Sequence, residues 1–174
     1  MERMETWDAI RARRNVRQYA DRPVAGEQLD RILEAGRRAP SSHNQQPWDF
    51  VLVTDRDQLA ELATVWQNAG HVARSAATIA LVAPVAADPG HRDQVQYDLG
   101  QATMAMMLAA ADLGIGAGHS AVADQDRARE VLGLPADRFC AYLLALGYPA
   151  DRPLRPLTRP DRRPFDDVVH RGRW

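Results

Sequence analysis

The sequence predicts a single layered domain in which helices pack against a small β-sheet. Segments with helical apolar spacing alternate with short apolar runs along the 174 residues, the pattern of an α/β or α+β fold. This length supplies one sizeable core but is short for two domains. With 45% hydrophobic and 26% charged residues, the composition is that of an ordinary soluble globular protein. We therefore predict one domain over residues 1–174.

The first half of the chain predicts three helices and two strands. Thr6 is a good N-cap, and Trp7 and Ile10 recur at helical spacing behind it. Pro40 ends the second helix, because proline disfavours helical backbone in the residue before it. The predicted elements are a helix from Thr6 to about Arg14, a helix between Pro23 and Pro40, a strand from Trp48 to Val53, a helix from Asp55 through Trp66, and a strand from Ala76 to Ala83.

The second half predicts a long apolar helix, an extended glycine-containing stretch, a short helix and a last core strand. Thr103 is the single polar residue between positions 102 and 111. That part of the helix has no face suited to water, so its own domain or a partner chain must cover it. The predicted elements are a loop from Pro84 to Arg92, a helix from Asp93 to Leu113 ended by Gly114, an extended stretch from Ile115 to Val122, a helix from Asp124 to Gly133, and a strand from Phe139 to Gly147.

Charge and composition exclude several classes of function. The formal net charge is −1, so no overall field attracts nucleic acid or an anionic membrane. All 22 basic residues are arginine, which excludes lysine Schiff-base chemistry. No apolar window is long enough for a membrane span, and Met1 to Asp8 lacks a secretory signal, so we expect a cytoplasmic protein. Cys140 lies in an apolar run and is expected to be a buried, inert thiol. The five histidines are scattered, and no metal site is predicted.

Arginines gather at two distant places in the chain. Arg13, Arg14 and Arg17 surround Asn15 just after the first helix. A second group lies in the tail, at Arg159, Arg162 and Arg163. A guanidinium donates two parallel hydrogen bonds to phosphate oxygens, so the two groups together could bind one dianion. An isolated basic run of this kind is otherwise an ordinary solvated surface.

Hydrogen-bonding side chains fill the loop from Pro40 to Trp48. Amides and hydroxyls both donate and accept, so a rigid loop that carries them can contact the edge of a planar heterocycle. A plain polar turn is an equal alternative.

The glycines between Leu113 and Ala121 follow a helix rather than a strand, so they are not a dinucleotide fingerprint. They could end the helix and allow bare backbone to approach a flat ligand. A rival interpretation is the nucleophile elbow of an α/β-hydrolase, since the run from Gly118 to Val122 places Ser120 at its centre. Asp137 or Asp151 and then His170 would complete the triad. Val122 breaks that pattern, so the serine hydrolase is a distant second hypothesis.

Taken together, these segments resemble the FMN-dependent nitroreductase family almost from end to end. The resemblance is carried by R-R-N-V-R, P-S-S-H-N-Q-Q-P-W, D-L-G-Q-A, L-A-A-A-D-L-G-I-G, L-G-Y-P and the terminal R-R-P-F-D-D-V-V-H-R-G-R-W. It implies an α+β, three-layer fold with a small, mainly antiparallel sheet in an intertwined homodimer. The apolar helix would then lie in the dimer interface, and the tail from about 150 to 174 would extend over the partner subunit.

The resemblance also implies which residues bind FMN. Arg13, Arg14 and Asn15 would hold the phosphate with Arg162 or Arg163, and Arg17 would lie near N1 and the C2 carbonyl. Backbone from Gly118 through His119 and Ser120 to Ala121 would face N5. The loop that contacts the ring and ribityl chain would supply Pro40, Ser41, Ser42, Asn44 and Gln46, with Ser42 and Asn44 the main contacts. No catalytic side chain is implied.

The implied activity is hydride transfer from NAD(P)H through FMN to a small electron-poor acceptor of the nitroaromatic or quinone type, by a ping-pong mechanism. The alternatives within the same family are an FMN-sequestering dimer and specialised dehalogenase, oxidase or flavin-breakdown enzymes. Ala105 stands where the family often has asparagine, and the loop from Pro84 to Arg92 is short where many members insert helices. The pocket is thus expected to be more open, or to be closed by the partner.

Overall fold

A computed structural model describes residues 4–86 and 88–174 and contains a four-stranded antiparallel sheet between helical layers. The strand order is β1-β2-β4-β3, so β2 and β4 are central. This arrangement confirms the predicted α+β class with a small antiparallel sheet. The elements are α1 (Thr6–Ala12), α2 (Gly26–Arg37), β1 (Asp49–Val53), α3 (Arg56–Leu62), β2 (Ala77–Pro84), α4 (Pro89–Asp112), β3 (Gly116–Ala121), α5 (Gln125–Leu132) and β4 (Arg138–Gly147), with 3₁₀ turns at Ser42–Asn44, Val72–Arg74 and Phe165–Asp167.

Apolar cores cover both faces of the sheet. On one face, Leu144 and Leu146 of β4 lie in a cluster with residues of α2 and α4. On the other face, Leu143 and Ala145 pack with residues of α3 and α5. Because helices cover both faces, the central strands are apolar at successive positions instead of alternating with polar residues.

Helix α4 is longer than its apolar pattern predicts. It begins at Pro89, four residues before the predicted start at Asp93. Asp88 is its N-cap, with a carboxylate that accepts a hydrogen bond from the His91 N–H at 3.0 Å, and proline is favoured in the first helical turn. The predicted loop from 84 to 92 is shorter for this reason. Within residues 4–86 and 88–174 no helix has the length and apolar character needed to cross a bilayer.

One face of α4 stays open in the single chain. Tyr97 is 72% exposed and Met104 36%, and a Cβ added to Gly100 would meet no atom within 4 Å. The domain's own elements bury the other faces, including Ala102 and Met106. The domain therefore covers this helix only in part, and a stripe at Tyr97, Gly100 and Met104 is exposed in the single chain.

Helix α1 ends at Ala12, two residues earlier than predicted, because Arg13 has extended backbone (φ −61°, ψ 128°). Its N-cap is Glu5, whereas Thr6 was predicted. The third helix also ends early, at Leu62, so Trp66 lies beyond it. The extended backbone after α1 carries the chain to the outer edge of β3.

The tail runs as extended, exposed chain after β4. Its beginning is held by the first segment of the protein, since the Leu157 N–H donates to the Arg11 carbonyl at 3.2 Å. Farther along, Phe165 is 65% exposed and Trp174 fully exposed. The tail therefore builds no core of its own.

Candidate functional site: a basic edge beside β3

The segment from Arg13 to Arg17 lies along the outer edge of β3. Asn15 forms a parallel bridge with Ala117, and the Val16 N–H donates to the Ala117 carbonyl at 2.9 Å. Val16 is buried. The structure thus brings together two of the predicted site segments, the arginine run and the glycine-containing strand.

Two glycines of β3 make this close approach possible. A Cβ on Gly116 would lie 2.6 Å from Val16 Cγ2, and one on Gly118 would lie 2.3 Å from the Val16 carbonyl oxygen. Gly114 has a φ of +71°, consistent with its predicted role of ending α4. At Gly116 and Gly118, however, the absence of a side chain leaves the space that Val16 occupies. The approach of a flat ligand to this backbone stays a prediction.

Arg13, Arg17 and His119 form a basic cluster at this edge. Burial lowers the pKa of His119, and the positive charges of Arg13 and Arg17 lower it further. The Arg13 Nε atom is buried and has no hydrogen-bond partner within the described residues. Neither arginine forms an ion pair with a carboxylate of that part of the chain. The cluster is therefore suited to a bound anion.

Arg14 has a different environment. Its guanidinium donates to Asp151 Oδ1 at 2.7 Å and to the Arg152 carbonyl at 2.8 Å. This hydrogen bond holds the pKa of Asp151 below its usual range. Alternate residues of an extended chain point to opposite sides. Arg14 is thus engaged with the tail, whereas it was predicted, like Arg13, to hold phosphate.

The loop that follows α2 is strained and closed on itself. His43, Asn44 and Gln46 have φ values of 50°, 55° and 51°, a left-handed conformation that is uncommon for residues other than glycine. The Ser41 hydroxyl accepts a hydrogen bond from the Gln46 N–H at 2.9 Å. Strain of this kind concentrates at binding sites. Pro40, His43, Asn44 and Gln46 are exposed, and Ser41 and Ser42 are half-buried.

Within the described residues, no hydrogen bond or ion pair joins this loop to the basic cluster. The tail arginines are also separate in their contacts. Arg162 donates to the Asp161 carbonyl and Arg163 donates to the Asp167 carbonyl, and both of these hydrogen bonds are exposed. Within the described residues, the structure therefore joins residues 13–17 with residues 116–121 and shows no hydrogen bond or ion pair from the loop or from Arg162 and Arg163 to them.

The Ser120 hydrolase hypothesis is wrong. Ser120 lies in the middle of β3, opposite Leu143, and its buried hydroxyl donates to the Ala121 carbonyl. A nucleophile elbow needs an exposed serine on a sharp turn between a strand and a helix. The proposed partners are engaged elsewhere, since Asp137 pairs with Arg138, Asp151 with Arg14, and the His170 ring stacks near Trp174.

Two further buried residues were not predicted as site residues, although one of them, Asp98, begins the D-L-G-Q-A motif. His71 is buried, its Nε2 has no partner in the described part of the chain, and burial lowers its pKa, with Arg17 adding to the effect. Asp98 of α4 is 2% exposed and accepts a hydrogen bond from the Ser42 N–H. A carboxylate about one turn before the apolar run of the same helix was the available signal for Asp98. No local pattern marks His71.

A family model, the nitroreductase family, matches residues 10–73 and 65–148. The chain belongs to the nitroreductase family. A relative from Archaeoglobus fulgidus, provisionally named NADH dehydrogenase/NAD(P)H nitroreductase, is 32% identical and aligned over 95% of this chain and 96% of its own. The NADPH-flavin oxidoreductase of Vibrio harveyi is 27% identical over 97% of this chain and 74% of its own.

Solved structures of the nitroreductase family have the same fold. The NADPH:FMN oxidoreductase of Vibrio harveyi, solved with NAD⁺, aligns with a TM-score of 0.83 at 27% identity, covering 95% of this chain and 76% of that one. Nitroreductase A of Vibrio parahaemolyticus aligns with a TM-score of 0.82 at 26% identity, covering 98% and 77%. The resemblance detected in the sequence is confirmed.

Proposed function

We propose that this nitroreductase-family chain is an FMN-dependent NAD(P)H oxidoreductase that acts as a homodimer in the cytoplasm. The observation that carries the proposal is the basic edge beside β3. There Arg13 and Arg17 face His119 without a carboxylate partner in the described chain, and Arg13 Nε is buried and unbonded. A phosphate group would satisfy such a site, and the names of two relatives, a flavin oxidoreductase and an FMN oxidoreductase, support FMN as the molecule that carries it.

Bound FMN would supply the hydride-transfer chemistry between NAD(P)H and an electron-poor acceptor, a nitroaromatic or quinone, in a ping-pong cycle. The protein would bind and orient the flavin and place charge beside it, since no acid–base side chain is required for hydride transfer through a flavin. Arg13 and the amide of Asn15 hold the phosphate. Arg17 supplies a fixed positive charge at the edge of the ring, where negative charge accumulates on reduction. Burial and the two arginines keep His119 neutral near pH 7.

The second subunit completes each site. The exposed stripe of α4 gives an apolar surface for an isologous two-fold interface. Across that interface, the loop of one subunit, with Ser42 and Asn44, reaches the flavin held by the basic edge of the other. The tail from about 150 to 174 lies over the partner, burying Phe165 and Trp174, and brings Arg162 or Arg163 to the phosphate. Residues 1–174 are then one domain whose tail is ordered by dimerisation.

Spectroscopy of the purified protein tests this proposal. We expect absorption bands in the blue and near-ultraviolet that bleach on anaerobic addition of NADH or NADPH and return on addition of a quinone. Flavin that stays oxidised with both nucleotides but is reduced by dithionite would indicate FMN storage or another donor. A protein that binds no FMN after reconstitution would contradict the proposal.

A half-buried arginine on the other helical layer supplies the matched control. Arg127 on α5 pairs with Glu61 and Glu130. Arg127→Ala should retain FMN as the wild type does, whereas Arg13→Ala should lose it during gel filtration. Equal retention by the two variants would remove Arg13 from the site.

A further inference from the structure

Residues 41–47, which we call the flavin loop, have a conformation that their own sequence does not favour. Three of its non-glycine residues have left-handed backbone. Such backbone persists only when surrounding contacts determine it. The contacts that hold the loop therefore decide how Ser42 and Asn44 are presented.

Most of those contacts lie inside the loop. The Asn44 N–H donates to the Ser41 carbonyl at 3.0 Å, and the Gln45 N–H donates to the Ser42 carbonyl at 3.0 Å. These bonds give the loop its shape. They do not orient it relative to the rest of the domain, because both partners of each bond belong to the same short segment.

Asp98 provides the link to the domain. Its Oδ2 accepts a hydrogen bond from the Ser42 N–H at 3.1 Å, and its Oδ1 accepts one from Gln101 Nε2 at 3.3 Å. Over residues 4–86 and 88–174, the bond to Ser42 is the one hydrogen bond between positions 41–46 and another element. The link is thus a single charge-assisted bond.

The burial of Asp98 makes this bond more significant. Asp98 is 2% exposed, and its carboxylate forms no ion pair with a cation of the described residues. A buried carboxylate without a cation is unfavourable unless hydrogen-bond donors satisfy it. An apolar residue would serve packing alone better at this position, which lies with Val95 and Leu99 on the buried side of the helix. The carboxylate is explained by its acceptor role toward the loop.

We propose that Asp98 is the positioning residue that orients the flavin loop from α4. Asp98 adjoins Tyr97, which lies on the exposed stripe of the same helix. Asp98 thereby links the helix offered to the second subunit with the loop offered to the flavin. This inference rests on the proposed function, because it assigns Asp98 a role toward the same FMN site.

The test compares two substitutions of Asp98 in the full-length protein. Asp98→Leu replaces the carboxylate with a larger apolar side chain that cannot accept a hydrogen bond, and Asp98→Asn removes the charge and keeps both the size and an acceptor oxygen. FMN affinity is measured by flavin fluorescence quenching, and hydrogen exchange at the Ser42 amide is measured in FMN-free protein. We expect Asp98→Leu to weaken FMN binding about tenfold or more and to accelerate exchange at Ser42. The Asn variant should retain FMN affinity within about threefold and keep Ser42 protected.

Asp112 is the matched control on the same helix. It accepts a hydrogen bond from the Met4 N–H at 2.7 Å and pairs with Arg31 at 2.5 Å, without contacting the flavin loop. Asp112→Leu should lower thermal stability and leave FMN affinity and Ser42 exchange unchanged. A purely structural role for Asp98 predicts that the two Leu variants behave alike.

Wild-type FMN affinity in Asp98→Leu, or loss of affinity in Asp98→Asn with Ser42 still protected, would overturn the inference. If Asp98→Leu fails to fold, Asp98→Ala replaces it with the same expectation. A wild type that binds no FMN would refute the proposed function, whereas unchanged Ser42 exchange in Asp98→Leu would refute the role of Asp98 alone.

Discussion

Gly118→Ala is the most direct perturbation of the contact between the arginine segment and β3. The added Cβ would lie 2.3 Å from the Val16 carbonyl oxygen, 3.0 Å from the Tyr19 hydroxyl and 3.4 Å from His71 Cδ2. The first of these atoms is backbone, and the Tyr19 hydroxyl donates to that same carbonyl at 2.7 Å. Neither can move without losing hydrogen bonds. Overpacking of this kind costs about 1–3 kcal/mol of unfolding free energy.

Two other glycines provide comparisons for the expected loss of stability. A Cβ on Gly36 would lie 2.0 Å from Met106 Cε, the flexible end of a side chain that can change rotamer. Gly36→Ala should therefore cost less than Gly118→Ala despite the shorter distance. A Cβ on Gly26 meets nothing within 4 Å, so Gly26→Ala should leave stability near that of the wild type.

The assay is urea unfolding of the FMN-free protein, followed by FMN titration. We expect Gly26→Ala to be the most stable of the three variants, Gly36→Ala to be less stable, and Gly118→Ala to be the least stable. We also expect weaker FMN binding in Gly118→Ala, because the shift of Val16 displaces Arg13 and Arg17. Wild-type stability in Gly118→Ala would refute the packing argument. Lower stability with unchanged FMN affinity would refute the coupling between this contact and the site.

Three further predictions concern single side chains. His71 and His119 have pKa values below the ordinary 6.5, so the unfolded chain binds more protons below that pH and stability should fall as pH drops from 7 to 5; His119→Asn should flatten this pH profile in FMN-free protein. Burial raises the pKa of the Cys140 thiol to about 12, so a thiol reagent should modify it in denatured protein and leave native protein unmodified. Arg14→Ala removes the bonds to Asp151 and Arg152, so hydrogen exchange at the Leu157 amide should accelerate, whereas Arg155→Ala should leave it unchanged.

Local signals were sufficient where one residue type determines the backbone. Asp124 caps α5 as predicted, accepting a hydrogen bond from the Arg127 N–H, and Gly133 ends that helix with a φ of +64°. The start of α4 was missed although Asp88 and Pro89 are a recognisable cap and first helical residue. The apolar pattern used to locate that helix begins only later, after a polar first turn.

The division of roles within the arginine run could not be predicted from its composition. Three identical side chains lie within five positions, and their directions depend on the backbone that carries them. Once Val16 packs inward against β3, Arg13, Asn15 and Arg17 share one side of the extended chain, and Arg14 points to the tail. That alternation depends on the long-range bridge between Asn15 and Ala117, which no local pattern contains. The link from Asp98 to Ser42 spans 56 positions and was missed for the same reason.

The central claim is that the basic edge beside β3 holds the phosphate of FMN. Its most direct test compares the affinities for FMN and for riboflavin, which lacks the phosphate, in the wild type and in Arg13→Ala. We predict that the wild type prefers FMN, and that Arg13→Ala loses about 1.5–3 kcal/mol of that preference, about 10- to 150-fold in affinity, with little change for riboflavin. Equal affinity of the wild type for the two flavins, or an unchanged preference in Arg13→Ala, would contradict the claim.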